Sequence, residues 1–171
     1  MGPTKQVEVV ALNGSVRRNS SNGLLLKALN DLVELSIYES LDLLPHFNPD
    51  IDEPEVVIDF KDKVSAASYL LIVTPEYAHG VPGVLKNALD WLVSDERLPG
   101  KKVIVFVCSA GSGEYAMSSL LEVLKTMSLS VSLDKCFQVN AIRSKFMGNR
   151  LIDKDLKEVL ENLAKKILSI S

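Results

Sequence analysis

Five short apolar runs, each followed by a segment with helical spacing, constrain the fold of this chain most strongly. The runs cover residues 7–12, about 35–41, 69–73, 103–107 and about 136–139. The first, third and fourth runs are almost continuously apolar, which indicates strands buried on both faces of a parallel sheet. The second and fifth runs are weaker, as edge strands tend to be.

The segments between the runs place apolar residues at the intervals of one buried helix face. They predict helices around residues 24–32, 56–66, 84–92, 114–127 and 156–167. Pro82 suits the first turn of its helix, and Asp153 is a predicted N-cap. Alternating strands and helices predict right-handed crossovers with helices on both sheet faces. The expected fold is therefore a three-layer α/β/α sandwich with a five-stranded parallel sheet of order 2-1-3-4-5, which is the flavodoxin-like arrangement.

Length and composition limit the classes of protein that this chain can belong to. Its 171 residues match the size of one domain, so we expect residues 1–171 to form a single domain. The net charge of −3 argues against nucleic-acid binding, because that requires a basic surface. There is no membrane-length apolar run and no signal-like start, and the two cysteines are a weak basis for a disulfide. We therefore expect a cytoplasmic protein with no membrane partner.

Ligands of such sheets bind beyond the carboxyl ends of the strands, near the point where the strand order reverses. That rule selects the loops at residues 13–23, 74–83 and 108–115. The first loop combines small hydroxyl residues, two arginines and a predicted helix start. Free backbone N–H groups, the helix dipole and an arginine favour a bound phosphate there. The same composition also fits a solvated loop in which Ser20 or Ser21 is the helix N-cap.

Other phosphate sites do not fit the first loop. The dinucleotide fingerprint needs three spaced glycines, whereas this loop has only Gly14 and Gly23. Glu39 could match the ribose-binding acid of that fold, but the glycines it accompanies are missing. A Walker loop is absent, so hydrolysis of ATP or GTP is not expected. A low-molecular-weight phosphatase would carry a cysteine in this loop, and none is present.

The second and third loops contain residues that set the backbone shape and few reactive side chains. Prolines and glycines stiffen the second loop, where Tyr77 either flanks an aromatic ring or lies half-buried in a rigid turn. His79 is a lone loop histidine, and such residues are more often surface residues than acid–base groups. Small residues in the third loop leave room for a planar group, and Cys108 is expected to be a buried thiol. No group of side chains shows metal-ligand spacing.

The three loops together resemble one family. Residues 14–22 are similar to the G-S-x-R-x-x-S-x-N phosphate-binding motif of the NADPH-dependent FMN reductase family, which includes quinone, chromate and azo-dye reductases. Residues 75–77 and 82–92 are similar to its P-E-Y-x-x-x-x-P-G-x-L-K-N-x-x-D-W-L segment. Residues 44–50 resemble its loop after the second strand. The similarity runs in order from about residue 7 to residue 115.

This resemblance implies that the chain binds FMN, with NADPH or NADH as co-substrate. The residues that it places around the phosphate are Ser15, Arg17, Ser20, Ser21 and Asn22. Those that it places along the flavin are Pro75, Glu76, Tyr77, Ala78, His79, Ser109 and Gly111. The family pattern has asparagine where Ala78 stands, so one side-chain contact to the flavin is expected to be absent or replaced by backbone.

The resemblance also implies a homodimer or homotetramer. It places Lys86, Asn87, Asp90 and Trp91 at a subunit interface. The same four residues also fit helix packing and ion pairing within one subunit, and both interpretations remain open at this point.

The implied reaction passes hydride from the nicotinamide to flavin N5 and electrons onward to a small-molecule acceptor of quinone-like, azo, metal-ion or flavin type. The cofactor carries this chemistry, so no catalytic residue is assigned. Two alternatives remain, a flavodoxin-type one-electron carrier and a non-catalytic flavin-binding protein. Arg17 and the net charge of only −3 disfavour the carrier, because such carriers usually have strongly acidic surfaces and phosphate loops without arginine.

Overall fold

A computed structural model describes residues 8–169. Its main sheet contains β1 (Val9–Asn13), β2 (Ser36–Tyr38), β3 (Tyr69–Thr74), β4 (Lys102–Ser109) and β5 (Ser130–Asn140). All neighbouring strands are parallel, in the order β2-β1-β3-β4-β5. The predicted fold class is confirmed. Residue 7, which the sequence places in the first strand, lies outside the described residues.

The five predicted helices are α1 (Ser21–Asn30), α2 (Glu55–Ala66), α3 (Gly83–Leu92), α4 (Glu114–Thr126) and α5 (Lys154–Leu168). Helices α2, α3 and α4 cover one face of the sheet, and α1 and α5 cover the other.

Alternate residues of β3 contribute to the two resulting cores. Leu70 and Ile72 pack into one core, and Leu71 and Val73 pack into the other. This two-sided burial explains why the central strands are continuously apolar in sequence. Among the described residues, no helix is long and apolar enough to cross a membrane.

The edges of the sheet differ from the sequence prediction. Strand β2 ends at Tyr38, and Leu41–Leu43 forms a 3₁₀ turn instead of continuing the strand. Strand β5 begins at Ser130 rather than near residue 136. Its first half is mostly exposed and its pairing with β4 shifts register between Val103 and Val105. Because an exposed, irregular edge needs few apolar residues, its sequence carries a weak strand signal.

Two local features complete the fold. A short antiparallel pair, β6 (Phe146–Met147) and β7 (Arg150–Leu151), precedes α5 and was not predicted. Pro82 is the N-cap of α3 and precedes its first turn. Asp153 is the N-cap of α5, as predicted, and its carboxylate accepts a hydrogen bond from the Leu156 N–H at 2.8 Å.

A buried acid joins α2 to the segment between α3 and β4. Asp95 accepts hydrogen bonds from the Ser65 hydroxyl and from Arg97 Nε, each at 2.8 Å. Arg97 also contacts Asp62 on α2 at 2.7 Å. The Arg97 guanidinium, assisted by Ser65, holds the pKa of the Asp95 carboxyl far below its usual range. This group lies at the opposite end of the sheet from the loops that follow β1, β3 and β4.

Candidate functional site

A cavity of about 470 Å³ opens at the carboxyl edge of the sheet, where the loops after β1, β3 and β4 meet. Its walls are Ser15, Arg17, Ser20, Ser21, Asn22, Pro75, Glu76, Tyr77, Cys108, Ser109, Ala110, Ala141, Ile142, Arg143 and Ser144. The volume lies in the roughly 300–1,000 Å³ range of ligand pockets. Of the twelve residues named from the sequence, Ala78, His79 and Gly111 do not line the cavity.

Close packing on β3 sets the position of the loop after β1. The Gly14 N–H donates to the Val73 carbonyl at 2.8 Å. A Cβ at Gly14 would lie only 2.4 Å from Thr74 Oγ1. Only glycine allows the loop to approach the neighbouring strand this closely. The Ser15 N–H then donates to Asn13 Oδ1 at 3.0 Å, which turns the chain towards the cavity.

Helix α1 begins at the cavity wall. Ser20 is its N-cap and accepts a hydrogen bond from the Gly23 N–H at 3.0 Å. The sequence allowed Ser20 or Ser21 as the N-cap of α1, and the structure shows that it is Ser20. The first N–H groups of a helix have no acceptor within the helix, and the dipole makes this end attractive to anions. Ser21 and Asn22 carry two of those N–H groups and line the cavity.

The Asn22 side chain places a buried hydrogen-bond donor at the start of α1. Its side chain is buried, with the residue only 3% exposed. Within the described chain, its Nδ2 has no hydrogen-bond partner. A buried amide donor without a partner is unfavourable by about 1–3 kcal/mol. An anionic oxygen at the start of α1 would satisfy this donor, so these residues fit a phosphate group.

The loop after β3 is a tight reversal. Tyr77 and Gly80 exchange two backbone hydrogen bonds of 3.0 and 3.1 Å. The two residues between them have left-handed backbones, with φ 49° at Ala78 and φ 58° at His79. They occupy the tip of the reversal, outside the cavity. Tyr77 lines the cavity and is 48% exposed, with its hydroxyl 3.5 Å from Ser15 Oγ.

Glu76 joins this loop to α4. Its Oε2 accepts a hydrogen bond from the Ala116 N–H at 2.9 Å, in the first turn of that helix. A carboxylate is favoured at this helix end. Its other oxygen lies 3.8 Å from His79 Nδ1. The His79 ring in turn contacts the Tyr115 ring edge-on, at 4.6 Å between centroids. Glu76 thus lines the cavity while fixing the spacing of two loops.

Polar contacts also set the shape of the loop after β4. Ser109 Oγ accepts from the Gly111 N–H at 3.0 Å. The Asn140 amide, oriented with its nitrogen towards the loop, donates to the carbonyls of Gly111 and Ser112 at 3.1 and 2.9 Å. Gly113 has φ 71°, and a Cβ there would lie 2.8 Å from Val107 Cγ1. These contacts leave Ser109 and Ala110 facing the cavity.

Cys108 is the thiol of the cavity wall. It is buried, and burial raises its pKa to about 12. The side chain is therefore a neutral thiol at ordinary pH, and its burial agrees with the buried thiol expected from the sequence.

One wall of the cavity is absent from the sequence prediction. The 3₁₀ turn Ile142–Lys145 follows β5, and residues 141–144 close the cavity on that side. Arg143 is exposed there, and its side chain makes no hydrogen bond or ion pair within residues 8–169. The signal was available, because these residues directly follow the carboxyl end of the fifth strand.

The four residues assigned to an interface make contacts within this chain. Asn87 accepts from the Phe47 N–H at 2.8 Å and donates to the Pro45 carbonyl at 3.0 Å. Trp91 Nε1 donates to the same carbonyl at 2.8 Å. Lys86 and Asp90 form an ion pair of 2.6 Å on the exposed side of α3. The Asn87 and Trp91 contacts hold the loop after β2 against α3, and the oligomer remains a prediction.

Comparison with known proteins agrees with the motifs and their geometry. The family model for NADPH-dependent FMN reductases matches residues 7–142. The chain belongs to the NADPH-dependent FMN reductase family. This FMN reductase family member is 34% identical over 118 residues to the quinone reductase of Escherichia coli K12, and the match covers 63% of each protein. It is 43% identical over 90 residues to a 2-hydroxy-1,4-benzoquinone reductase of a Burkholderia species, covering 50% of this chain and 49% of that protein.

A solved structure extends the comparison over more of the chain. FerB, a flavoenzyme NAD(P)H:(acceptor) oxidoreductase from Paracoccus denitrificans, is 28% identical and superposes with a TM-score of 0.79, covering 95% of both chains. An azoreductase from Bacillus anthracis, at 14% identity and a TM-score of 0.62, shares the fold. The family assignment and the flavodoxin-like fold are therefore both confirmed.

Proposed function

We propose that this chain is an FMN-dependent oxidoreductase that uses NADPH or NADH to reduce a small-molecule acceptor of quinone type. The observation that carries the proposal is the partnerless buried amide of Asn22 in a cavity built from the family's own motifs. The names of the matched proteins, two quinone reductases and one NAD(P)H:(acceptor) oxidoreductase, support this reaction class. We also propose that residues 1–171 act as one domain.

The phosphate end of the cavity would be held by five residues. Asn22 Nδ2 would donate to a phosphate oxygen, and the N–H groups that open α1 would add further donors. Arg17 is exposed at the rim and supplies a positive charge without a partner in the described chain. Hydroxyls of Ser15, Ser20 and Ser21 complete the set that we assign to the phosphate.

The remaining walls would orient the ring system. Pro75 and Tyr77 form one side, and Ser109 with Ala110 forms another. When bound, FMN supplies hydride acceptance at N5 and onward electron transfer to the acceptor, which is the hard chemistry of the reaction. The chain contributes position and a shaped, partly apolar enclosure. Neutral Cys108 adds no charge to this wall, and no side chain is needed as an acid or base.

Steady-state oxidation of NADPH with a benzoquinone tests the reaction. We expect turnover that requires both FMN and the quinone. FMN binding without turnover would contradict the proposal and favour the flavodoxin-type carrier or the non-catalytic binding protein.

Arg17→Ala tests the phosphate assignment separately. It should weaken FMN binding by about 1.5–3 kcal/mol, the range for a hydrogen bond to a charged group. Fluorescence titration of FMN gives the dissociation constant. Arg150→Ala is the matched control, because Arg150 is exposed on β7 and lies outside the cavity. Equal FMN affinity in the two variants would show that the phosphate binds elsewhere.

A further inference from the structure

The charged side chains of the proposed flavin cavity are unequal in sign. Among the described residues that line it, three are charged, namely Arg17, Glu76 and Arg143. The Glu76 carboxylate accepts a hydrogen bond from the Ala116 N–H at 2.9 Å, and its other oxygen lies 3.8 Å from His79 Nδ1. Two guanidinium groups therefore outnumber one carboxylate that already has partners, and the cavity favours anionic ligands.

The two arginines of the cavity come from different elements. Arg17 lies in the loop after β1, and the proposed function assigns it to the phosphate. Arg143 lies in the 3₁₀ turn that follows β5, and the proposed function leaves it unused. Its side chain makes no hydrogen bond or ion pair with any residue in the range 8–169. The cavity thus contains a second cation, far along the chain from the phosphate loop, that is free to bind a ligand.

Contacts on both sides of Arg143 hold its backbone in place. Ile142 is buried in the core between the sheet and helices α1 and α5. The Ser144 N–H and hydroxyl both donate to the Ala141 carbonyl, at 2.9 and 2.8 Å. Ala141 has a left-handed backbone with φ 48°, which is unfavourable for alanine and persists only where surrounding contacts impose it. Arg143 therefore projects from a fixed point of the cavity wall.

Lys145, the next cation of the same turn, provides a comparison for Arg143. Its ammonium pairs with Asp153 Oδ2 at 2.8 Å, so the chain itself neutralises it. No carboxylate of the described chain pairs with Arg143 in this way. A free guanidinium presents parallel N–H groups whose spacing matches the two oxygens of an acidic group such as a carboxylate. An acidic group on a ligand is therefore the natural partner of Arg143.

The uncharged walls of the cavity suit a flat ring. Tyr77 is half-exposed there, and Pro75 and Ala110 add apolar surface. Aromatic side chains stack against or flank planar rings. A planar molecule that carries one acidic substituent would match both the apolar walls and the free guanidinium of Arg143.

We propose that the acceptor is a quinone with an anionic substituent and that Arg143 binds this substituent. The inference rests on the proposed function, because it names the substrate class of the same site. In the overall reaction, NADPH and one proton supply the two electrons and two protons that convert the quinone to its hydroquinone. The anionic substituent keeps its bonds throughout and only orients the ring. Arg143 is thus a specificity-determining residue.

Reoxidation of the reduced flavin by a matched pair of quinones tests this role. FMN-loaded protein is reduced photochemically and mixed anaerobically with 1,4-naphthoquinone-2-sulfonate or with uncharged 1,4-naphthoquinone. In Arg143→Gln the second-order rate constant for the sulfonate should fall about tenfold, as for a lost charge-assisted hydrogen bond. The rate constant for the uncharged quinone should stay unchanged. NADPH is absent from this half-reaction, so an effect on the co-substrate cannot alter the result.

The matched control is Arg150→Gln. Arg150 is the same residue type and is exposed on β7, outside the cavity. This variant should react with both quinones like the unaltered protein.

Binding of naphthalene-2-sulfonate, an anion that the flavin cannot reduce, gives a second measurement. Calorimetric titration of the oxidised, FMN-loaded protein should show about tenfold weaker binding in Arg143→Gln. Arg143→Lys should give an intermediate affinity, because it keeps the charge and loses the paired N–H groups. High ionic strength should reduce the difference between the unaltered protein and Arg143→Gln, since salt screens exposed charges.

Equal losses with the two quinones, or sulfonate kinetics like those of the Arg150→Gln control, would overturn the inference. Unaltered sulfonate kinetics with weaker FMN binding in Arg143→Gln would assign this arginine to the phosphate instead. Unaltered sulfonate kinetics with slower flavin reduction by NADPH would assign it to the co-substrate. An unaltered protein that binds FMN and is not reduced by NADPH would contradict the proposed function, and the photochemical test of Arg143 would still give its own result.

Discussion

At the residue scale, Asn22 is expected to contribute to FMN binding and not to the stability of the flavin-free protein. Its Nδ2 is buried and without a partner in the described chain. Asn22→Ala should therefore weaken FMN binding by about 1–3 kcal/mol while leaving the free energy of unfolding of the flavin-free protein equal or higher. Fluorescence titration and urea unfolding measure the two quantities. A variant that loses stability but keeps its FMN affinity would mean that Asn22 is structural.

Ala78 has a backbone conformation that is unfavourable for alanine. It adopts φ 49° at the tip of a tight reversal, a conformation that asparagine tolerates better than alanine. The asparagine of the family pattern thus has a backbone reason as well as the expected flavin contact. Because Ala78 lies outside the cavity wall, the backbone reason is the one that this geometry supports.

The corresponding prediction is that Ala78→Asn stabilises the protein by about 0.5–1 kcal/mol. Urea unfolding with an unchanged m-value would measure this gain. Ala28→Asn, within helix α1, serves as the contrast and should destabilise, since asparagine is a poorer helix former than alanine. A loss of stability in the Ala78 variant would contradict the role given to its backbone.

Residue roles were only partly predictable from the sequence. The proposed phosphate loop could be named from the sequence because its hydroxyls, arginine and helix start are neighbours along the chain. The bond from the Ala116 N–H to Glu76 joins residues 40 positions apart, so local composition could not reveal it. Arg143 was missed for a different reason, because the loop after the fifth strand was not considered although the predicted end of that strand lies within one residue of the observed end.

At the element scale, the contact between the first loop and β3 holds the site together. Gly14→Ala would place a Cβ 2.4 Å from Thr74 Oγ1, in a position where Thr74 is completely buried. We expect a loss of stability of about 1–3 kcal/mol and weaker FMN binding, because the loop must move away from the strand.

Gly83→Ala is the matched control for this prediction. Gly83 is the first residue of α3, and nothing lies within 4 Å of a Cβ built there. Thermal unfolding should show an unchanged or slightly higher midpoint for this variant. If both glycine variants behave alike, close packing at Gly14 is not what positions the loop.

The stabilisation that Asp95 and Arg97 provide between α2 and the segment after α3 should depend on pH in a defined direction. Asp95 has a lowered pKa, mainly because of Arg97. A group with a lowered pKa in the folded state stabilises above its unfolded pKa of about 3.9 and loses that contribution as the pH falls below it. Asp95→Asn should therefore reduce stability at pH 7 by about 1–3 kcal/mol, and the difference should shrink below about pH 4.

Urea unfolding of both proteins between pH 3 and 7 checks this expectation. Asp31→Asn is the control, because Asp31 is exposed and its carboxylate has no ion pair within residues 8–169. A stability difference for the Asp95 variant that stays constant with pH would show that packing, rather than charge, dominates at this position.

The most deeply buried strands were the ones that the sequence predicted most clearly. Strands β1, β3 and β4 are buried on both faces, so their apolar runs mark them clearly. Strand β5 is mostly exposed and irregularly paired, which removes the pattern. The β6–β7 pair has two residues in each strand, too few for any periodic signal.

At the scale of the whole molecule, one parallel sheet with a core on each face brings three loops to a common edge. The proposed flavin cavity lies at this edge, and a second cavity opens on the other side of the first of these loops. The reduced nicotinamide and the acceptor would use the open side of the flavin cavity in turn.

Anaerobic titration of the FMN-loaded protein with NADPH tests the central claim most directly. The visible absorbance of the bound flavin should bleach as two electrons enter each chain, and addition of a benzoquinone should restore it. A bound flavin that keeps its absorbance in the presence of excess NADPH would contradict the assignment of this chain as a pyridine-nucleotide-dependent reductase.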